Sequence, residues 1–226
     1  MKNTPSQLVK IWDIWIRLFH WSLAALVLFL LISGTTGWQF YEWHRTAGET
    51  VLALLLFRLC WGLVGSDNAR LTALVTKPLH ALKHLVGLVK GRIPPERGHN
   101  SAGGWAVLAM LSLIGFQAIS GLVIADEEEY IEGAFYGVLS DDLSYELLKL
   151  HIMNATIIKV VVAVHVLMIL VYALRASHNL LTPMITGHIK WPSNVEVPYV
   201  GFQKGFVGCA IALGCLVAMA TIFSWW

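Results

Sequence analysis

Charged residues are scarce in this chain of 226 residues. They make up 13% of it, whereas apolar residues make up 57%. A soluble domain usually carries about 25% charged residues, so this shortage excludes an ordinary water-soluble domain. The net charge of +2 says little by itself. We expect a membrane partner and no nucleic-acid partner. Repeats and low-complexity segments are also missing.

Cysteine is rare too, and its positions form no Cys-x-x-Cys pair. Cys60, Cys209 and Cys215 all fall in apolar stretches. A thiol in such surroundings usually packs as a small hydrophobic side chain. We therefore expect the three cysteines to have a packing role and no redox or zinc chemistry of their own.

Long apolar stretches are what the chain has in excess. A helix needs roughly 20 residues to cross a bilayer, and five stretches reach about that length, with Trp and Tyr at their ends as interfacial anchors. They cover residues 15–38, 46–64, 105–125, 147–174 and 206–226. The first is too long for a signal peptide and lacks a good cleavage site, so we expect it to be retained. The sequence predicts an all-α membrane protein with five transmembrane helices.

The basic residues alternate between connections. They concentrate before the first span, between the second and third, and between the fourth and fifth, whereas the first outer loop holds only Arg45. The third connection is acidic from Asp126 to Glu146. The positive-inside rule therefore predicts a cytoplasmic N-terminus and a C-terminus on the far side.

Three shorter segments complete the predicted organisation. Residues 78–90 carry an apolar helical stripe beside lysines, which predicts an amphipathic helix on the inner surface. Residues 143–150 look helical and lead into the fourth span. Residues 181–205 contain three prolines and are expected to form a loop.

The fourth span contains two histidines, His151 and His165. Ionisable residues inside a span are costly and usually functional. Their separation of fourteen residues brings both rings to within about 40° of one face, about 21 Å apart along the helix. One helix would then supply a ligand near each face of the bilayer.

Each of these histidines has a candidate partner at its own depth. His20, at the cytoplasmic end of the first span, pairs with His165, and His44, just before the second span, pairs with His151. Two bis-histidine sites suit haem irons that carry electrons, because no axial position is left for oxygen. The chain has no Cys-x-x-Cys-His motif, so haem would be bound non-covalently. The alternative for each histidine alone is a hydrogen-bonded core residue.

Five further histidines have weaker claims to a role. His80 and His84 are four residues apart on the surface helix, a spacing compatible with a metal or with a solvated face. The others, which lie in predicted loops, are His99, His178 and His188.

Three motifs resemble the bacterial cytochrome b561 and hydrogenase b-type cytochrome family. They are Arg17-Leu18-Phe19-His20-Trp21, Trp43-His44-Arg45-Thr46-Ala47-Gly48, and the His151 to His165 spacing. The resemblance covers residues 10–175 and implies two haems b with bis-histidine ligation in a bacterial inner membrane. We therefore divide the chain into a four-helix di-haem core (1–175) and a cytoplasmic loop with a fifth helix (176–226). The fifth span departs from the four-span quinone-reactive members.

Basic residues near the ligands are candidates for the anionic haem propionates. Arg17 is the inner candidate and Arg45 the outer one, and snorkelling to the interface explains both equally well. Lys159 could meet a propionate, snorkel or pair with Glu49, and Arg58 poses the same question. Small residues that allow close approach of a porphyrin or a helix are Gly34, Gly37, Gly48 and Gly121.

The leading functional hypothesis is electron transfer between the quinone pool and a periplasmic redox partner in a respiratory chain. The acidic outer connection favours a basic partner such as a c-type cytochrome. Three alternatives stay open. They are the membrane anchor of a multi-subunit oxidoreductase such as a hydrogenase, a quinone-linked oxidoreductase or ferric reductase acting alone, and a non-haem transporter or assembly factor.

Overall fold

The computed structural model describes residues 6–36, 40–89, 98–126, 131–175 and 179–225. Several predicted features lie outside these residues. They are Gly37, His178, the acidic residues 127–129, and the predicted helix ends at Trp38, Lys90 and Trp226.

Helices dominate the described chain, which confirms the all-α prediction. In chain order the elements are β1 (Ser6–Lys10), α1 (Ile14–Ser33), α2 (Tyr41–Val64), α3 (Pro78–Val89), α4 (Ser101–Ser120), β2 (Ala125–Asp126), β3 (Ile131–Glu132), α5 (Asp141–Arg175), α6 (Leu181–Thr186), β4 (His188–Pro192) and α7 (Gly205–Phe223). The five helices α1, α2, α4, α5 and α7 are long and apolar enough to cross a membrane. The protein is therefore a multi-pass membrane protein.

Local chemistry explains where α1 begins and ends. The Asp13 carboxylate accepts a hydrogen bond of 2.8 Å from the backbone amide of Ile16, as an N-cap residue does. The helix ends at Ser33, directly before Gly34, whose freedom of conformation makes it a poor helix residue. The span is therefore shorter than the hydropathy suggested.

Three spanning helices begin at least four residues earlier than the predicted spans. The second span was expected from residue 46, but α2 begins at Tyr41, so His44 lies inside the helix and not just before it. The third was expected from residue 105, but α4 begins at Ser101. The fourth was expected from residue 147 with a helical lead from residue 143, and α5 begins at Asp141. Acidic residues in the first turns of α2 and α5 favour a helix N-terminus.

The prediction of a loop over residues 181–205 was wrong in its first half. This segment contains α6 and β4, and β4 pairs antiparallel with β1. Gly187, with φ of +83°, ends α6 in the left-handed conformation that glycine tolerates. Its carbonyl accepts hydrogen bonds from the amides of Ile11 and Trp12, which joins the end of α6 to the chain that follows β1.

The chain forms two compact units. The first consists of Met1–Leu18, Leu59–Leu108 and Ala163–Cys209, and the second of Phe19–Arg58, Ala109–Val162 and Ala210–Trp226. Each unit draws on both sides of the predicted division at residue 175, and that division stays a prediction.

The first unit contains the β1–β4 sheet and two buried side-chain hydrogen bonds close to the start of α1. Trp61 is fully buried and donates its indole N–H to the Asp13 carboxylate over 3.2 Å. The Asn68 side chain donates to the backbone carbonyl of Ile11 over 2.8 Å. These bonds tie the chain leading into α1 to the segment that follows α2.

The second unit is a helical bundle around one apolar cluster. Val51 of α2, Ile114 of α4 and Ile158 of α5 form its buried centre, against which leucines of α1 pack. Four of the five long helices therefore meet in this cluster. This part of the fold positions the histidines described next.

Candidate functional site

His44 is held by the end of α1. Its Nδ1 lies 2.9 Å from the hydroxyl oxygen of Ser33, the last residue of that helix. The same hydroxyl donates to the backbone carbonyl of Leu30 at 3.4 Å. Ser33 is buried, with 5% of its surface exposed, so the contact is shielded from water.

His151 is held in the same way by the end of α4. Its Nδ1 lies 2.9 Å from the hydroxyl oxygen of Ser120, again the last residue of a helix. The hydroxyl of Ser120 donates to the backbone carbonyl of Gln117 at 3.1 Å. Both rings therefore contact a serine through Nδ1, and the opposite nitrogen of each ring is Nε2.

A glycine follows each of these serines and faces the same ring. A Cβ atom on Gly34 would lie 3.1 Å from Cε1 of His44, and one on Gly121 would lie 3.2 Å from Cε1 of His151. Both distances are tighter than ordinary van der Waals contact, so a side chain here would press on the ring. Gly48, by contrast, has open space where its Cβ would stand.

His44 and His151 both lie in the second unit. The helix that carries His151 is fixed to α4 by Asn154, whose amide donates to the Gln117 side chain over 2.6 Å and to the Leu113 carbonyl over 3.0 Å. Such bonds between transmembrane helices contribute about 0.6 kcal/mol each on average. They hold the ring at a fixed depth.

These residues fit a bis-histidine haem b. Two imidazoles come from different helices, each is oriented through Nδ1 by a buried hydroxyl, and each has a glycine at its edge. Hydrogen bonding of the distal nitrogen is how proteins usually orient a histidine ligand. The fit rests on the donor set and on the close approach of each ring to a glycine, which a side chain would prevent.

The predicted inner pair is divided between the two units. His20 lies in the second unit and packs edge-on against Trp21, with ring centroids 5.0 Å apart. His165 lies in the first unit, on the same continuous helix α5 as His151. The pairing of His20 with His165 stays a prediction.

Two of the three candidate propionate partners make other contacts in the structure, and the third is exposed. Arg17 donates to the backbone carbonyls of Asp13, at 3.3 Å, and of Ile185. Arg45 forms ion pairs with Glu42 at 3.5 Å and with Glu49 at 3.7 Å, and Lys159 is exposed. Their role toward a propionate stays a prediction.

Arg58 is the most deeply buried cation described, with 1% of its surface exposed. Its guanidinium carbon lies 6.0 Å from the ring centre of Phe19, the neighbour of His20. A charged group inside a span usually serves a function. The sequence had already raised Arg58 beside Lys159, and this burial supports it as a candidate for a functional role.

The remaining histidines give no metal site among the described residues, where no group of three or more possible ligands occurs. Nε2 of His84 hydrogen bonds the hydroxyl of Tyr172, which also accepts from Asn100 at 2.9 Å. His80 is exposed. His99 stacks edge-on against Trp12, and His188 bonds the backbone of its own turn.

Sequence reasoning missed Ser33 and Ser120. A serine at a helix end is common, so neither stood out. The signal available was the repeated dipeptide Ser-Gly, Ser33-Gly34 and Ser120-Gly121, at the outer ends of two predicted spans. The glycines were noticed, but the serines beside them were not.

Comparison with known proteins identifies the family of the chain. A model of the prokaryotic cytochrome b561 family matches residues 11–187, more than half of the chain. No curated protein matches the chain. The matched region includes all four candidate ligands and both Ser-Gly dipeptides. The chain belongs to the prokaryotic cytochrome b561 family and is a membrane-embedded b-type cytochrome that transfers electrons.

Proposed function

We propose that the chain carries electrons across the membrane through two haems b, the outer haem on His44 and His151 and the inner haem on His20 and His165. The observation that carries this proposal is the matched seating of His44 and His151 by Ser33 and Ser120. Haem b supplies one-electron chemistry when it is bound, because its iron alternates between the ferric and ferrous states.

The four histidines would fill every axial position. Imidazoles on both sides of an iron exclude oxygen as a ligand, which favours electron transfer over oxygen chemistry. Helix α5 would contribute one ligand to each haem, because His151 and His165 are separated by about 21 Å of helix on nearly one face.

We propose that the chain lies in a bacterial inner membrane and exchanges electrons with the quinone pool and with a periplasmic redox protein such as a c-type cytochrome. The alternation of basic loops supports a cytoplasmic N-terminus and a periplasmic C-terminus. Exposed carboxylates of the outer connection support a basic periplasmic partner, since they would attract it over a long range. The described ones are Glu132, Asp141, Asp142 and Glu146.

Purified protein in detergent provides the test. Haem extraction should give two haems b per chain. A short-chain quinol should reduce both, and a basic c-type cytochrome should then reoxidise them at a rate that falls as salt is added. One haem per chain would overturn the di-haem proposal. Two haems with no quinol reduction, together with stable co-purification of a catalytic subunit, would favour the membrane-anchor function instead.

A further inference from the structure

Ser33 and Ser120 occupy equivalent positions on two different helices. Each is the last residue of its helix, each precedes a glycine, and each hydroxyl oxygen lies 2.9 Å from Nδ1 of a proposed ligand. Both serines are buried, with exposures of 5% and 3%. The repetition points to a shared task.

The hydrogen bonds indicate a direction for each contact. A serine hydroxyl has a single proton, and it can reach the backbone carbonyl three residues earlier, that of Leu30 at 3.4 Å for Ser33 and that of Gln117 at 3.1 Å for Ser120. With its proton on that carbonyl, the oxygen can accept the Nδ1–H of the histidine. This selects the tautomer whose Nε2 lone pair is available to iron.

We infer that Ser33 and Ser120 are positioning residues that hold His44 and His151 in the Nδ1–H tautomer and, as neutral acceptors, set the reduction potential of the outer haem. The inference rests on the proposed function, since it needs a haem on these two histidines.

The expected effect follows from electron donation. An acceptor at Nδ1 draws the ring proton and makes the imidazole a more basic ligand, which stabilises ferric over ferrous iron. A neutral hydroxyl does this more weakly than a carboxylate would. Removing the hydroxyl should therefore raise the midpoint potential of the outer haem, and removing both should raise it further.

A purely structural role makes a different prediction. Each serine bonds the backbone of its own helix end, and losing that bond alone would lower stability without selecting one haem. Ser144 is a matched control in the same unit. It is equally buried, with 3% exposure, and its hydroxyl donates to the carbonyl of Val123 over 2.9 Å.

The experiment is a spectroelectrochemical redox titration of the purified holoprotein. We expect Ser33→Ala and Ser120→Ala each to raise the potential of the same haem, the double variant to raise it more, and the other haem to keep its value. Ser33→Thr, which retains a hydroxyl, should stay close to the parent, as should Ser144→Ala. Unchanged potentials, equal shifts of both haems, or a similar shift in Ser144→Ala would overturn the inference.

Loss of a haem from the alanine variants would also test the positioning role. Loss of one haem with alanine but retention with threonine supports the positioning role, whereas loss with both contradicts it. A parent protein without haem would overturn this inference and the proposed function together. A parent that binds two haems and oxidises quinol, with serine variants that keep its potentials, would overturn only the inference.

Discussion

The indole N–H of Trp225 donates a hydrogen bond of 2.8 Å to a carboxylate oxygen of Glu49. Glu49 is buried in α2, where an ionised carboxylate needs a partner. Its other oxygen lies 3.7 Å from the guanidinium of Arg45, the residue after His44. The segment following α7 is thereby tied to α2, the helix that carries the proposed ligand His44, which gives this segment a structural role in the second unit.

Trp225→Phe should loosen this attachment. Phenylalanine preserves the aromatic packing against Phe223 but removes the donor from a buried carboxylate, a bond to a charged group that contributes about 1.5–3 kcal/mol. We expect a lower midpoint temperature of thermal unfolding in detergent. Trp43→Phe, at a side chain that is 69% exposed, is the control. Equal midpoints for both variants would contradict the attachment.

Gly34→Ala and Gly121→Ala should each weaken the outer haem. The added methyl would stand 3.1 Å from His44 Cε1 or 3.2 Å from His151 Cε1, so the ring must move by a few tenths of an ångström. We expect the same haem to dissociate faster in both variants, measured as transfer to apomyoglobin. Gly214→Ala adds its methyl in open space and should behave as the parent. Faster loss of the inner haem instead would contradict the proposal that the outer haem lies at His44 and His151, beside these two glycines.

The first unit offers an independent test at Asp13. Its two carboxylate oxygens accept from the Ile16 amide and the Trp61 indole, so Asp13→Ala removes a helix cap and leaves a buried N–H unsatisfied. We expect a loss of unfolding free energy of about 3 kcal/mol. Asp13→Asn should recover about 1 kcal/mol of it through the cap.

Asp142 is the control for Asp13, because it is an exposed carboxylate in the first turn of α5. Asp142→Ala should change the unfolding free energy by only a few tenths of a kcal/mol. If both alanine variants lowered stability equally in chemical unfolding, the buried contacts of Asp13 would not be what stabilises the start of α1.

Hydropathy and histidine spacing predicted the membrane helices and the shared face of His151 and His165, because both depend on residues close together along one helix. The early start of α2 was missed because its first turn contains polar residues, whereas the helical lead of α5 was predicted to within two residues. The β1–β4 pairing joins residues 6–10 to residues 188–192, and no local pattern in a segment containing prolines indicates such a partner.

The serine contacts escaped prediction for a related reason. Ser33 and His44 lie in different helices, and Ser120 contacts His151 across 31 residues. Each serine also bonds its own helix backbone, so in the sequence both look like ordinary helix ends. The proposed pairing of the histidines by depth rests on the predicted topology alone, whereas the serine contacts depend on tertiary structure.

The pairing of ligands is the central claim, and redox titration of four single variants tests it most directly. His44→Ala and His151→Ala should each lose one haem and retain the haem of the same midpoint potential, while His20→Ala and His165→Ala should both retain the other. If His44→Ala and His151→Ala were left with haems of different potential, or if all four variants kept two haems, the pairing would be wrong.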